Sequence, residues 1–161
     1  MVTIYELQTL NLTSVTELYR KKASGMVAHA GLLLEFTCGR QAVLHNTPER
    51  GAHLSSFVQF SENQNVNITK QYFSELDIMK QRIVSILSKK NKYSVFDNCE
   101  HLASEVITGI AKSPQLQATI AGTAIGTALG CSIANNKTLG GILGALVGGF
   151  VSLQCAKACK L

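Results

Sequence analysis

Cys99 is the residue best suited to covalent chemistry. It stands in Asp97-Asn98-Cys99-Glu100-His101, where the chain enters a stretch that reads as a helix. Unpaired N–H groups and the positive end of a helix dipole stabilise a thiolate at such a position, and the thiolate is the form that attacks. Two histidines lie upstream in strand-like settings. His29 interrupts an otherwise apolar run from Met26 to Leu34, where an imidazole needs a polar partner. His45 ends the next apolar run. A hairpin turning about Thr37 and Cys38 sets the two rings nearly opposite on adjacent strands, within hydrogen-bonding reach. One ring could then take the thiol's proton while the other fixes its tautomer, the division of labour of a nucleophile, a base and an orienter.

The other reactive side chains read more plainly. His101 follows Cys99 by two positions, hence on a different helix face, and reads as a structural hydrogen-bond partner. His53 follows a polar loop and reads as solvent-exposed or at a pocket rim. Cys38 lies in a turn with no partner motif. No Cys-x-x-Cys or His-x-x-x-His occurs, so no metal is expected. No glycine loop has a phosphate-binding form, so no nucleotide cofactor is expected either.

Several elements must position the triad. Residues 14–23 read as a short helix, with Ser14 as cap and Glu17 three residues on. Residues 26–36 and 41–45 read as the two strands of the hairpin, joined through Thr37-Cys38-Gly39-Arg40. Asn46 to Gly51 is loop by composition, and Ser55 to Phe60 reads as another short strand. Residues 69–90 place Leu76, Met79, Ile83 and Ile86 or Leu87 at helical spacing, the clearest amphipathic helix in the chain. A further helix covers 97–109, with Asp97 and Glu100 at capping-box spacing, Leu102, Val106 and Ile107 on one face, and Gly109 at its end.

Beyond Pro114 the composition changes. Residues 118–134 and 138–156 carry no charge, and Asn135-Asn136-Lys137 separates them. Glycines recur at every fourth position: Gly122, Gly126 and Gly130, then Gly140, Gly144 and Gly148. That spacing makes a smooth helical stripe where two backbones can meet closely. In water each such glycine costs about 1 kcal/mol relative to alanine. A glycine-zipped helical hairpin in a bilayer accounts for the pattern better; the alternative is a soluble helical pair that oligomerises through those faces. The first run is only marginally apolar, so membrane association is the firmer expectation and full spanning the weaker one.

The chain as a whole fits this division. Its 161 residues suit one compact domain plus an appendage, and 46% apolar content excludes a disordered protein. The net charge of +5 is modest and lacks arginine–aromatic clustering, so no nucleic-acid partner is expected. The last 44 residues contain three lysines and no acid, which favours a membrane surface. The basic groups Arg20-Lys21-Lys22 and Lys89-Lys90-Lys92 read as solvated faces able to rest on anionic headgroups. No secretory signal opens the sequence, so the expected compartment is the cytosol, where thiols stay reduced.

His29-Ala30-Gly31 opening a strand, Val43-Leu44-His45 ending the next, and Asn98-Cys99-Glu100-His101-Leu102 opening a helix resemble the lecithin:retinol acyltransferase and phospholipase-acyltransferase family. These are permuted relatives of the papain-like, NlpC-type thiol enzymes. The resemblance covers roughly residues 26–112 closely and the tail in kind. It implies an α+β fold: a small antiparallel sheet with packed helices, permuted papain-like, followed by a C-terminal hydrophobic hairpin. It implies a thiol catalytic domain over 1–113 and a membrane-associating hairpin over 114–161. By position, Cys99 looks like the nucleophile, His29 the general base and His45 the orienting third member, with no cofactor. The family passes an acyl group through a cysteine thioester to an amine, an alcohol, a lysolipid or water. The chain departs from the family in three places. It lacks the aromatic or bulky residue beside the strand histidine, where Ala30 and Gly31 stand. It lacks the Gly-Asp pair ahead of that strand, and it has Leu102 where the family has Phe.

The expected protein is therefore a thiol acyltransferase or phospholipase acting on membrane lipids from the cytoplasmic face. Two alternatives stand beside it. One is a fold-retaining membrane-interaction protein without catalysis, as in the similar viral proteins with the same histidine box and Asn-Cys pair. The other is an NlpC-type amidase or peptidase. Cys155 and Cys159, one helical turn apart near basic residues, are candidate lipidation sites.

Overall fold

The computed structural model describes residues 2–21, 28–89, 99–134 and 136–158. The described residues through Lys112 form one compact unit, and those from Ser113 onward form another.

The first unit is α+β. Its five strands are β1 (Leu12–Lys21), β2 (Ala28–Phe36), β3 (Gln41–Thr47), β4 (Gly51–Ser55) and β5 (Val66–Tyr72). They form one antiparallel sheet in the order β4-β3-β2-β1-β5. The helices are α1 (Ile4–Thr9), α2 (Phe57–Ser61), α3 (Leu76–Ser88) and α4 (Cys99–Thr108). Alternation along the strands divides the apolar residues between the two sheet faces. Val15, Leu32, Leu34 and Leu44 pack with Met79 and Ile83 of α3 and Leu102 and Val106 of α4. The opposite face carries Leu18 and Val43, covered by Phe60 of α2.

The hairpin expected over 26–45 is β2 and β3, turning through Thr37 to Arg40 with Gly39 at a φ of 76°. The amphipathic repeat of Met79, Ile83 and Ile86 is buried on α3 as its spacing requires. Three expectations are overturned. Residues 14–21 are strand, not helix. Val15 and Thr16 are β-branched, and the segment gains ladder partners on both sides, from β2 and β5. The hydroxyl of Ser14 caps nothing and instead donates to Glu35 across the sheet. The helix expected from residue 69 begins at Leu76, because residues 66–72 pair with β1 as β5. Residues 57–61 form a helix rather than continuing a strand, since Ser56 and Gln59 make a reciprocal capping box. The loop expected over 46–51 is also narrower, because β3 runs through Thr47 and β4 starts at Gly51.

α1 is an unexpected short helix, started by the capping box that Thr3 and Glu6 make. α4 begins at Cys99 and ends before Gly109, whose φ of 77° suits a glycine. The cap expected from Asp97 lies outside the described residues, as do Asn98 and Cys159.

In the second unit, α5 (Pro114–Ile133) and α6 (Lys137–Ala158) pack along their glycines. A Cβ placed on Gly126 would sit 2.0 Å from the carbonyl oxygen of Gly144, and one on Gly130 would sit 1.9 Å from that of Gly140. Only bare backbone allows so close an approach. Ile125, Leu129, Leu146 and Val147 face outward. Mean hydropathy reaches 1.3 over Leu116–Ile133 and 1.7 over Lys137–Ala156. Both helices are long and apolar enough to cross a membrane.

Candidate active site

The site forms where two strands part. β2 and β3 are paired from Glu35 and Gln41 as far as Leu32 and Leu44. Beyond that point β2 stays with β1 down to Ala28, while β3 follows β4, pairing His45 with His53. Cys99, the first residue of α4, meets β2 in this fork. Its Sγ accepts a hydrogen bond from the backbone N–H of Ala30 at 3.4 Å. Ala30 follows His29 in β2, so the sulfur is anchored to the strand backbone next to the first histidine.

His29 and His45 bridge the fork. Both project to the sheet face that carries Val43 and Phe60, because they lie two positions from Gly31 and Val43 on their strands. Nε2 of His29 lies 3.0 Å from Nδ1 of His45, a hydrogen bond between buried rings. The hairpin thus brings together the two imidazoles that its turn was expected to align. Cys99, His29 and His45 are all 5% exposed or less.

Burial above all, with the charges of His53, Arg20 and Arg50, lowers His45 from an ordinary value of 6.5 to about 3. It is therefore a neutral ring at physiological pH. A neutral Nδ1 can accept a proton-bearing Nε2–H from His29, and that tautomer leaves Nδ1 of His29 as its basic nitrogen. The Nε2 of His45 has no hydrogen-bond partner among the described residues.

Tyr19 lies opposite Ala30 in the ladder. Burial, followed by the carboxylates of Glu17 and Glu100, keeps its phenol protonated well beyond the usual range. Tyr72 donates to Glu17 at 2.5 Å, so this end of the sheet carries a connected polar network.

Two residues change character. His53, read as exposed or at a rim, is half-buried: Nδ1 lies 2.9 Å from the carbonyl oxygen of Gly51, and its ring centroid is 4.3 Å from that of His45. The ladder pairing of His45 with His53 enforces this proximity. Phe60 had no assigned role, yet it touches both site histidines. It stacks on His29 at 5.4 Å and meets His45 edge-on at the same centroid distance. The signals for it were present but separate: a Ser56-x-x-Gln59 cap that starts α2, and a glycine beside His29 that leaves space. The aromatic ring reaches His29 from α2 and not from a neighbouring position on the strand.

The remaining residues are dispersed. His101 is buried on α4, while Cys38 and Cys155 are exposed. No family model matches the chain, and no curated protein matches it. The chemistry open to this chain is that of the sulfur held at the parted strands and the paired imidazoles.

Proposed function

We propose that this protein is a membrane-associated thiol acyltransferase or phospholipase of the lecithin:retinol acyltransferase kind. The observation that carries the reading is the sulfur of Cys99, at a helix start, bonded to the amide beside the His29–His45 pair. Nδ1 of His29 takes the thiol proton, and the helix N-terminus and the Ala30 amide favour the resulting thiolate. The thiolate attacks the carbonyl carbon of a lipid ester. Collapse of the tetrahedral adduct breaks the ester C–O bond, and the departing alkoxide takes the proton from His29. A thioester on Cys99 and a lysolipid remain. An amine, an alcohol or water then attacks the thioester, gives its proton to His29, and regenerates the thiol as that proton returns to sulfur. His45 holds the Nε2–H of His29 throughout.

The apolar helix pair supports a lipid substrate, because acyl chains lie in the bilayer that such a pair can enter. The lysines flanking it support a cytoplasmic-facing domain. Palmitoylation at Cys155 or Cys159 would add a second anchoring signal.

The test is mass spectrometry of the full chain in phosphatidylcholine nanodiscs. An acyl adduct on Cys99, accompanied by lysolipid and absent from position 99 in Cys99→Ser, is the expected result. Absence of both adduct and lysolipid, with Cys99 still open to alkylation, would overturn it. That outcome would favour the second reading, a fold-retaining membrane-interaction protein, for which the zipped helices and the deep burial of Cys99 speak. Turnover of a peptide in place of lipid would point to an amidase.

A further inference from the structure

The sheet face opposite α3 and α4 contains an aromatic residue seated with unusual economy. Phe60 is fully buried, the fourth residue of α2, a helix of five residues. So short a helix has no independent stability and is held by what surrounds it. Its capping box fixes the start. At its end Glu62 adopts a left-handed φ of 47°, and its carboxylate pairs with the guanidinium of Arg20 at 2.5 Å. Arg20 is 4% exposed and lies opposite His29 in the ladder.

Below the ring, Gly31 supplies the seat. A Cβ there would lie 2.6 Å from Cε2 of Phe60, closer than real contacts allow, and 3.1 Å from Cγ1 of Val43. The glycine is therefore needed for the ring to reach the sheet. Once seated, the ring lies nearly parallel to His29, at an interplanar angle of 27°, and nearly perpendicular to His45, at 85°. Its face also receives the guanidinium of Arg20, 5.6 Å from the centroid.

We propose that Phe60 is a positioning residue for the histidine pair, its ring stabilising positive charge on His29 in preference to His45. The π-face of an aromatic ring attracts a cation stacked on it. His29 is the ring that becomes cationic when it takes the thiol proton, and it is the ring lying flat on Phe60. The short helix, the Arg20–Glu62 pair and the bare backbone of Gly31 together deliver one aromatic ring to the histidine pair, stacked on His29 and perpendicular to His45. The inference rests on the reading of His29 as the base, and it deepens that reading by naming what selects the protonated histidine.

The groups that face His29 are His45 on β3, which shares its hydrogen bond, and Arg20 on β1, opposite it in the ladder and paired with Glu62; His53 and Arg50 bear on it through His45, and all stay constant in the test. The full chain in nanodiscs is titrated by ¹⁵N NMR of its four histidines, alongside the pH profile of Cys99 alkylation. Phe60→Leu keeps the site apolar but removes the π-face. It should lower the titration midpoint of His29 by about half a unit or more and slow Cys99 alkylation at pH 6.5 by about fivefold, the size of one cation–π contact. 3,4,5-Trifluorophenylalanine at position 60 keeps the shape and weakens the ring's negative face, so it should move His29 in the same direction even if the leucine variant does not fold. An unchanged His29 midpoint in the fluorinated protein overturns the proposal. The NMR readout needs no acyl transfer. A shifted His29 without an acyl adduct on Cys99 would sink the enzymatic reading alone. An adduct without the shift would sink the role of Phe60 alone.

Discussion

At the scale of single residues, the histidine pair makes two measurable claims. The first concerns Cys99, which is 2% exposed while Cys38 is exposed in the β2–β3 turn. Access favours Cys38, so the shape of the pH profile is the informative quantity and absolute rate is not. Alkylation of Cys99 by the proposed thiolate–imidazole pair should already be on a plateau near neutrality, where a simple thiol's rate would still be climbing with pH. His29→Ala should remove that plateau, and His45→Ala should weaken it less. A profile for Cys99 that parallels Cys38 would exclude the thiolate–imidazole pair. The second claim follows from His45. Its value falls from 6.5 to about 3 on folding, so between those limits the unfolded chain binds a proton that the native ring does not. Stability contributed by the neutral ring is complete above about pH 6.5 and is lost as pH falls towards 3, with a slope of at most about 1.4 kcal/mol per pH unit from this group. His45→Phe should flatten that slope. All four tyrosines precede residue 94, so tyrosine fluorescence in urea reads the first unit alone. The three site residues were legible because each sits awkwardly in its sequence: two imidazoles in apolar runs and a thiol at a helix start. Phe60 was not, because a phenylalanine in an apolar stretch looks like any core residue until its partners are known.

At the scale of elements, local patterns were reliable only where tertiary pairing agreed with them. α3 and the β2–β3 hairpin carry long, unambiguous periodicities and fold accordingly. Residues 14–21 offer a helix cap and a strand alternation at once, and the neighbouring strands decide between them. Residues 56–60 show the reverse, since a capping box turns an apolar run into helix where no ladder partner competes. The glycine stripes were legible as a zipper because a four-residue spacing of glycines serves little else. They yield a sharp prediction. A Cβ on Gly141 would lie 2.7 Å from Sγ of Cys131 on the facing helix, near the distance a disulfide spans. Gly141→Cys should therefore cross-link to Cys131 under mild oxidation in lipid, detected as a protease-resistant link between α5 and α6. Adding Gly126→Ile should abolish the link, because its Cβ would meet the Gly144 carbonyl at 2.0 Å. Efficient cross-linking in the double variant would mean that the helices do not meet along this stripe.

At the scale of the whole molecule, charge sets the expected orientation. Lys112 precedes α5, Lys157 and Lys160 close the chain, and Lys137 alone marks the connection between the two apolar helices. If the helix pair enters a bilayer as proposed, the positive-inside bias predicts both flanks on the cytosolic side and the connection at or beyond the far interface. In sealed vesicles with the first unit outside, protease added outside should leave the segment around Asn136 intact, and should cut it only after the membrane is breached. Cleavage there before breaching, with the C-terminus protected, would reverse the arrangement.

The parted strands also decide which inactive variant is fit for use as a control. Where β2 leaves β3, the amide of Ala30 has the sulfur of Cys99 as its acceptor. Cys99→Ala removes the nucleophile and also leaves that N–H unsatisfied in the interior, at a cost of about 1–3 kcal/mol. A loss of activity in that variant would mix missing chemistry with a loosened sheet. Cys99→Ser keeps an acceptor in the fork while surrendering most of the nucleophilicity. The same atom would therefore serve the reaction and the architecture, and only the serine variant separates its two duties.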